Sequence, residues 1–431
     1  MTVDLKVVKA KDPLLERIFK RSSSEHREVA TQVAHILASV QSKGDEAVCE
    51  YTSRFGGARL SPGELKVTRE EKTAAYQFVE ESFLDAIRLA LDNITSFHRK
   101  QLRHSWFEPG EQGVILGQML RPLKRVGIYV PGGKAAYPSS VLMNAVPAKV
   151  AGVKEICMVS PPDYHGALSP WTLVAAAEAG VDEIYKIGGA QAIAALAYGT
   201  ATVPKVDKIT GPGNIYVTLA KQQVYGQVDI DMLAGPSEVL VIADDTANPV
   251  FVAADLLSQA EHDELASVVL LTPSADLARK VKAEVVRQSS HLTRQDIIEH
   301  ALSNNGVIAI TDDLEQAFRL SNQFAPEHLE LMIAEPFQWL SRIENAGAVF
   351  LGRYSPEPVG DYLAGPNHIL PTGGTARFYS SLGVESFMKK TSLIAYTRDA
   401  LGETGSAIIK LAEVEGLTAH ANAVQVRMQQ D

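Results

Sequence analysis

The sequence predicts an α/β protein made of two successive parallel-sheet blocks with helical segments at both chain ends. Short apolar runs alternate with helical stretches from about residue 126, the alternation resumes at VDKITGPGN, and both ends show helical periodicity instead. In chain order, residues 1 to about 120 read as mostly helical, as in LLERIFKRSSSEHREVATQVAHILASVQSKGDEAVCEYTSRF. The first block then runs RVGIYVPGG, SSVLMNAVPAKVAG, KEICMVSPP, WTLVAAAEAG, DEIYKIGG and AQAIAALAYG, each strand followed by a helix. Right-handed crossovers between such strands make the sheet parallel. The second block runs through SEVLVIADD, VFVAADLLSQAEHD, SVVLLTPS, ADLARKVKAEVVRQ, GVIAITD and AGAVFLG. A loose repeat links AGVKEICMVSPP, AGVDEIYKIGG and AGPSEVLVIADD, each with a small-residue turn before its strand. From about residue 382 the tail ends in GSAIIKLAEVEGLTAHANAVQVRMQQ, a polar helical end of the kind that docks on a partner subunit.

A chain of 431 residues, 46% hydrophobic, has material for about two to three domains. The net charge of -10 is spread along the chain, which argues against a nucleic-acid partner. No window approaches the roughly 18 to 20 apolar residues of a membrane span, and the start lacks a signal-peptide pattern, so a cytoplasmic protein is expected. Cys49 and Cys157 fit a reducing compartment and exclude a disulfide framework. Any metal must therefore use His, carboxylate and amide ligands. Cys49 falls in a helical stretch and Cys157 inside a strand run, so neither is displayed as a nucleophile.

Ligands of open α/β sheets bind beyond the carboxyl ends of strands, which directs attention to the loops there. VPGGKAAYPSS after Val130, IGGAQAI after Ile187 and TGPGNIY after Thr210 each offer glycines and then open a helix. Singly, each looks like an ordinary strand-to-helix turn; together, in adjacent crossovers, they point to a dinucleotide or phosphate ligand, although none is a standard dinucleotide fingerprint. In LLSQAEHD, Gln259 and His262 are three apart, a spacing that puts both on one helical face within reach of one metal ion. A lone pair of this kind is usually surface polarity, but Asp361 and His368 in the loop EPVGDYLAGPNH, and His420 after Glu415 in EGLTAH, supply further donors. QFAPEHLELM places Glu327 beside His328, two proton acceptors of different affinity. Adjacent side chains of this kind normally diverge.

Together these segments resemble the histidinol dehydrogenase family, over essentially the whole chain. The resemblance is carried by RVGIYVPGGKAAYPSSVLMNAVPAKVAGV, KIGGAQAIAALAYGT, VPKVDKITGPGN, IDMLAGPSEVLVIAD, LLSQAEHD, APEHLE, AGAVFLG, SPEPVGDYLAGPNHILPT and LTAHANAV, in that order. It implies two Rossmann-like parallel-sheet domains with helical extensions: residues 1–24 as an N-terminal extension, 25–128 plus 238–381 as the first α/β domain, 129–237 as an NAD-binding domain, and 382–431 as a C-terminal extension reaching the partner of a homodimer. It implies one zinc ion per subunit on Gln259, His262, Asp361 and His420, the last from the other subunit. Glu327 and His328 match the family's proton acceptors, and Tyr129, Gln191 and Asn214 its NAD contacts. Ser237, Glu415 and His368 match positions that hold the substrate, L-histidinol, together with His328 and the metal ligands.

The mechanism so implied needs no covalent enzyme intermediate: His328 accepts the hydroxyl proton as the first hydride leaves, and Glu327 then activates water for the aldehyde. Competing expectations are a related dehydrogenase of another amino or sulfonated alcohol and a zinc hydrolase, which would have no use for NAD. A non-catalytic relative is disfavoured by the intact ligand and acceptor set.

Overall fold

The computed structural model describes residues 4–20, 27–132 and 136–429. Parts of the segments 1–24 and VPGGKAAYPSS therefore lie outside the described residues. Two parallel sheets organise the chain, as the alternation of runs predicts. The larger one has six strands in the order Lys6–Lys9, Gly306–Ile310, Ser267–Thr272, Glu238–Ala243, His328–Met332 and Ala348–Leu351. The smaller one has five, in the order Glu183–Lys186, Glu155–Ser160, Arg125–Tyr129, Lys208–Thr210 and Asp229–Ile230. Central strands such as Glu238–Ala243 are buried on both faces, which is why they read as unbroken apolar runs.

Both chain ends depart from a purely helical reading. Lys6–Lys9 pairs with Gly306–Ile310 as an edge strand of the larger sheet. At the other end, Met388–Ala395 precedes the C-terminal helices and pairs antiparallel with Ile115–Pro122, which also pairs with Trp106–Pro109. A four-residue strand of mixed character carries too little periodicity to stand out from its helical surroundings. The two C-terminal helices, Arg398–Val414 and Thr418–Met428, lie against each other.

The helices between Arg27 and Arg99 pack on the five-stranded sheet, whereas helix Pro13–Lys20 packs on the six-stranded one through Leu15 and Ile18. Val33, Ile36, Leu37 and Val40 form the apolar stripe of helix Arg27–Lys43 and pack with Ile193, Leu196, Val217 and Val224. Ile87, Ala90 and Ile94 of helix Glu81–Arg99 join Val141, Leu142 and Val146 in the opposite core layer. Periodicity identifies a buried stripe but does not name the surface that buries it.

Each sheet has one switch point, where successive strands turn from one side to the other. In the five-stranded sheet it falls between Arg125–Tyr129 and Lys208–Thr210; in the six-stranded one, between Glu238–Ala243 and His328–Met332. Residues 231–237 lead from the carboxyl edge of the first sheet to the amino edge of the second. Thr218 Oγ1 donates to the Ala234 carbonyl across this seam, and Gly235 N donates to Thr372 Oγ1 at 2.5 Å.

Candidate functional site

Glu327 and His328 sit at the amino end of strand His328–Met332, not beyond a carboxyl end as general experience with open sheets suggests. Both are held by the backbone of one residue on the neighbouring strand. Glu238 N donates to Glu327 Oε2 at 2.9 Å, and the Glu238 carbonyl lies 3.0 Å from His328 Nδ1. A carbonyl only accepts, so Nδ1 carries the proton and Nε2 is left with its lone pair. That Nε2 is buried without a protein hydrogen-bond partner. Burial pushes the His328 pKa down to about 3, aided by the neighbouring His262 and His368, so the ring is a neutral acceptor at working pH. Burial raises Glu327 well above the ordinary carboxyl range, with the charges of Glu238 and Asp361 adding to the shift. The two side chains approach to 3.7 Å, Oε2 to Nδ1, without a hydrogen bond between them, each being occupied by Glu238 instead.

Around His328 Nε2 lies a group of acids. Asp361 Oδ1 and Glu357 Oε1 are each 3.9 Å away, and His368 Nδ1 lies 3.0 Å from the Asp361 carbonyl. The ligand atoms of His262, Glu357 and Asp361 all lie within 4.8 Å of one another, a geometry able to hold a metal ion. Gln259 is fully buried, and both amide atoms lack a protein partner, which fits a side chain kept for a ligand outside the protein. The donor set, with its orphaned amide and crowded carboxyls, fits zinc.

Two expectations about local structure are corrected here. Helix Pro249–Ala260 ends before His262, which occupies the turn beyond it, with His262 N donating to the Gln259 carbonyl at 3.2 Å. Asp361 is not on a loop but on the short helix Glu357–Tyr362, because Pro356 and Pro358 favour a helical first turn. Glu357, one turn before Asp361 on that helix, was not among the expected site residues. The signal was its spacing, since residues four apart share a helical face, and it was hidden by the loop reading.

Behind Glu357 lies a further acidic pair. Glu330 Oε1 accepts from Glu357 N at 3.1 Å, and Asp255 Oδ2 and Glu330 Oε2 are both buried without a hydrogen-bond partner among the described residues. Burial raises Asp255 to about 6 and Asp361 to about 7, and lifts Glu330 and Glu357 well above the ordinary range. His368 is pushed down to about 4 by burial. These shifts give a sign for stability. The raised carboxyls bind more protons folded than unfolded, so their contribution is present at low pH and lost as pH rises through their raised values, about 6 for Asp255 and about 7 for Asp361. The three depressed histidines of the site, His262, His328 and His368, act oppositely, losing stability as pH falls below about 6.5. Five acids outweigh three histidines, so chelated protein is expected to show a lower Tm at pH 8 than at pH 5. Zinc addition should remove that difference by neutralising the acids; calorimetry at the two pH values checks both statements.

Two of the glycine loops, IGGAQAI and TGPGNIY, follow the carboxyl ends of strands Glu183–Lys186 and Lys208–Thr210 of the five-stranded sheet. Tyr129 ends its strand and is buried, its hydroxyl accepting from Gly189 N at 3.1 Å. Gln191 is buried on the first turn of helix Gly189–Tyr198, and its Oε1 has no protein partner. Asn214 caps helix Ile215–Val224 through its Oδ1, which accepts from Tyr216 N and Val217 N. Its amide nitrogen is thereby turned outward from the helix end. Ser237 immediately precedes Glu238 at the seam, and its carbonyl accepts from Ser267 N at 3.0 Å. Glu415 and His420 are not brought into this cluster; both are exposed on the C-terminal helical pair.

Cys157 is buried in strand Glu155–Ser160, and burial together with Glu183 pushes its thiol up to about 12; burial also raises Cys49. Neither supplies a thiolate. A C49S/C157S variant is expected to keep wild-type kcat within about twofold, since small buried changes cost stability before chemistry. Steady-state kinetics on the folded variant check this.

The fold and site define an α/β protein with a neutral buried histidine, an adjacent buried acid and a metal-type donor set near the seam of two sheets. The histidinol dehydrogenase family model matches residues 19–428. A histidinol dehydrogenase of Heliobacterium mobile is 58% identical over 414 residues, 96% of this chain and 97% of its own. One of Moorella thermoacetica is 59% identical over 399 residues, 93% of this chain and 94% of its own. The crystal structure of histidinol dehydrogenase from Elizabethkingia anophelis superposes with a TM-score of 0.94 at 40% identity, covering 99% of this chain and 98% of that one. The chain belongs to the histidinol dehydrogenase family, a family of NAD-dependent oxidoreductases, which sets the hydrolase reading aside. No helix among the described residues is long and apolar enough to cross a membrane.

Proposed function

We propose that this chain oxidises L-histidinol to L-histidine in two hydride transfers to NAD, with L-histidinaldehyde retained in the site between them. The observation that carries the chemistry is the fixed tautomer of His328, whose free Nε2 is buried among the acids of the cluster. His328 Nε2 accepts the substrate hydroxyl proton in the first oxidation. Glu327, raised by burial, takes a proton from the water that adds to the aldehyde. His328, after passing its first proton to solvent, then accepts the hydroxyl proton of the resulting hydrate in the second oxidation. Gln259, His262, Asp361 and His420 of the partner subunit would hold zinc, which supplies a Lewis acid that orients the imidazole and amino group of the substrate. Tyr129, Gln191 and Asn214 would hold NAD, the hydride acceptor, with the unpartnered Gln191 Oε1 available to a donor on that ligand. Ser237, His368 and Glu415 would position the substrate.

A homodimer with a shared site is part of this reading. It is supported by the exposed apolar residues Ile394, Leu411 and Val414 at 73%, 67% and 75% exposure, on the segment that also carries Glu415 and His420. A biosynthetic role in the cytoplasm fits the family. The test is NADH absorbance on mixing zinc-loaded protein with L-histidinol and NAD. About two NADH per histidinol, lost on chelation, is expected. One NADH per histidinol would mean that aldehyde escapes and that Glu327 has another role.

A further inference from the structure

We infer that the buried ion pair Lys221–Asp231 is a positioning pair for the cofactor loop, gripping the peptide of Gly211 from both sides. Gly211 follows strand Lys208–Thr210 and opens the TGPGN loop. Its φ of +110° is a glycine conformation, and an added Cβ would overlap the Tyr129 carbonyl oxygen. The Gly211 N–H donates to Asp231 Oδ2 at 2.7 Å, and its carbonyl accepts from Lys221 Nζ at 3.0 Å. Lys221 also bonds Asp231 Oδ1, which accepts from Met232 N at 2.6 Å. The pair's side chains are 3% and 1% exposed, so the charges are removed from solvent.

A buried ion pair adds little net stability over a well-packed apolar pair, so stability alone gives a weak reason for one here. Its position gives a better one. Lys221 lies on the helix that Asn214 caps, and Asp231 begins the segment that crosses to Ser237 and Glu238. Gly211 rests on Tyr129, and the Tyr129 hydroxyl holds Gly189 two residues before Gln191. One pair therefore sets Gly211 relative to Tyr129, Gln191 and Asn214, the residues assigned to NAD. The inference rests on that assignment and adds a residue pair that acts through the loop without touching the cofactor.

The test uses two double variants of the full-length, zinc-loaded protein, with NAD affinity measured by titration calorimetry. K221M/D231L removes the charges together and releases the peptide. K221Q/D231N removes the charges but keeps a donor and an acceptor at the two positions. The first is expected to weaken NAD binding roughly 10- to 100-fold with the histidinol KM and zinc content unchanged, as loop misplacement by about 1 Å would cause. The second is expected to stay within about threefold of wild type, because the two hydrogen bonds to Gly211 survive. Equal affinities for the two variants, at either level, would overturn the inference. If K221M/D231L fails to fold, D231A against D231N carries the comparison, since both leave Lys221 without its counter-ion and only D231A removes the acceptor for Gly211 N: weaker NAD binding in D231A than in D231N at constant histidinol KM supports the grip, and equal affinities overturn it. Wild-type protein that does not bind NAD would instead overturn the assignment of the loops, and with it the inference.

Discussion

Replacing His328 by asparagine is expected to lower kcat for histidinol oxidation by roughly 10²- to 10⁴-fold, the usual worth of a positioned general base. Asparagine keeps a donor toward the Glu238 carbonyl, so the fold should survive. With His328 serving both oxidations as proposed, the variant should slow histidinol and histidinaldehyde alike. Glu327→Gln is expected to separate the two steps. It removes the acceptor for the water proton while its amide can still pair with the backbone, so aldehyde oxidation should fall by a similar factor and the first hydride transfer much less. Single-turnover kinetics with each substrate distinguish the cases, and an E327Q variant that converts aldehyde to acid at the wild-type rate would remove Glu327 from the mechanism. The His328 pKa of about 3 adds a pH prediction: protonation of this ring should not set the acid limb of kcat/KM above about pH 4.

Loss of the acidic face of the site should have an effect as large. Asp361→Asn is expected to reduce zinc affinity by more than about 100-fold, and Glu357→Gln by about 10- to 100-fold, the range found when groups around a bound metal are altered. Glu357 has a stake because its Oε1 lies as near to His328 Nε2 as does Asp361, and its backbone is fixed by Glu330. Zinc per chain by elemental analysis, with competition against a chromogenic chelator, gives both values. Full zinc occupancy in D361N would place the metal on a different donor set.

Much of the site was legible as residue types. Gln259, His262, Asp361, Glu327 and His328 stand in segments whose composition singles them out, and the family's motifs carried the assignment of roles. Less legible was what each side chain touches. That Glu327 and His328 share the two backbone groups of Glu238 follows from the parallel pairing of His328 with Val239, a contact between residues 89 and 90 positions apart in sequence. Glu357 went unread because its proline-flanked segment resembles a loop, and its helix is only six residues long.

What the sequence by itself determined was the alternation of buried strands and helices, the glycines that let loops approach a ligand, the lack of a nucleophilic cysteine and the chemical kinds of donor. These are local properties, fixed by side-chain period and by backbone conformational limits. Tertiary structure alone decided which sheet the early helices cover, that Lys6–Lys9 is a strand, and that Glu327 and His328 meet the backbone of Glu238 at the amino edge of the six-stranded sheet. It alone lowered His328 and raised Asp361, because desolvation depends on neighbours brought from distant parts of the chain and not on the residue's own sequence context.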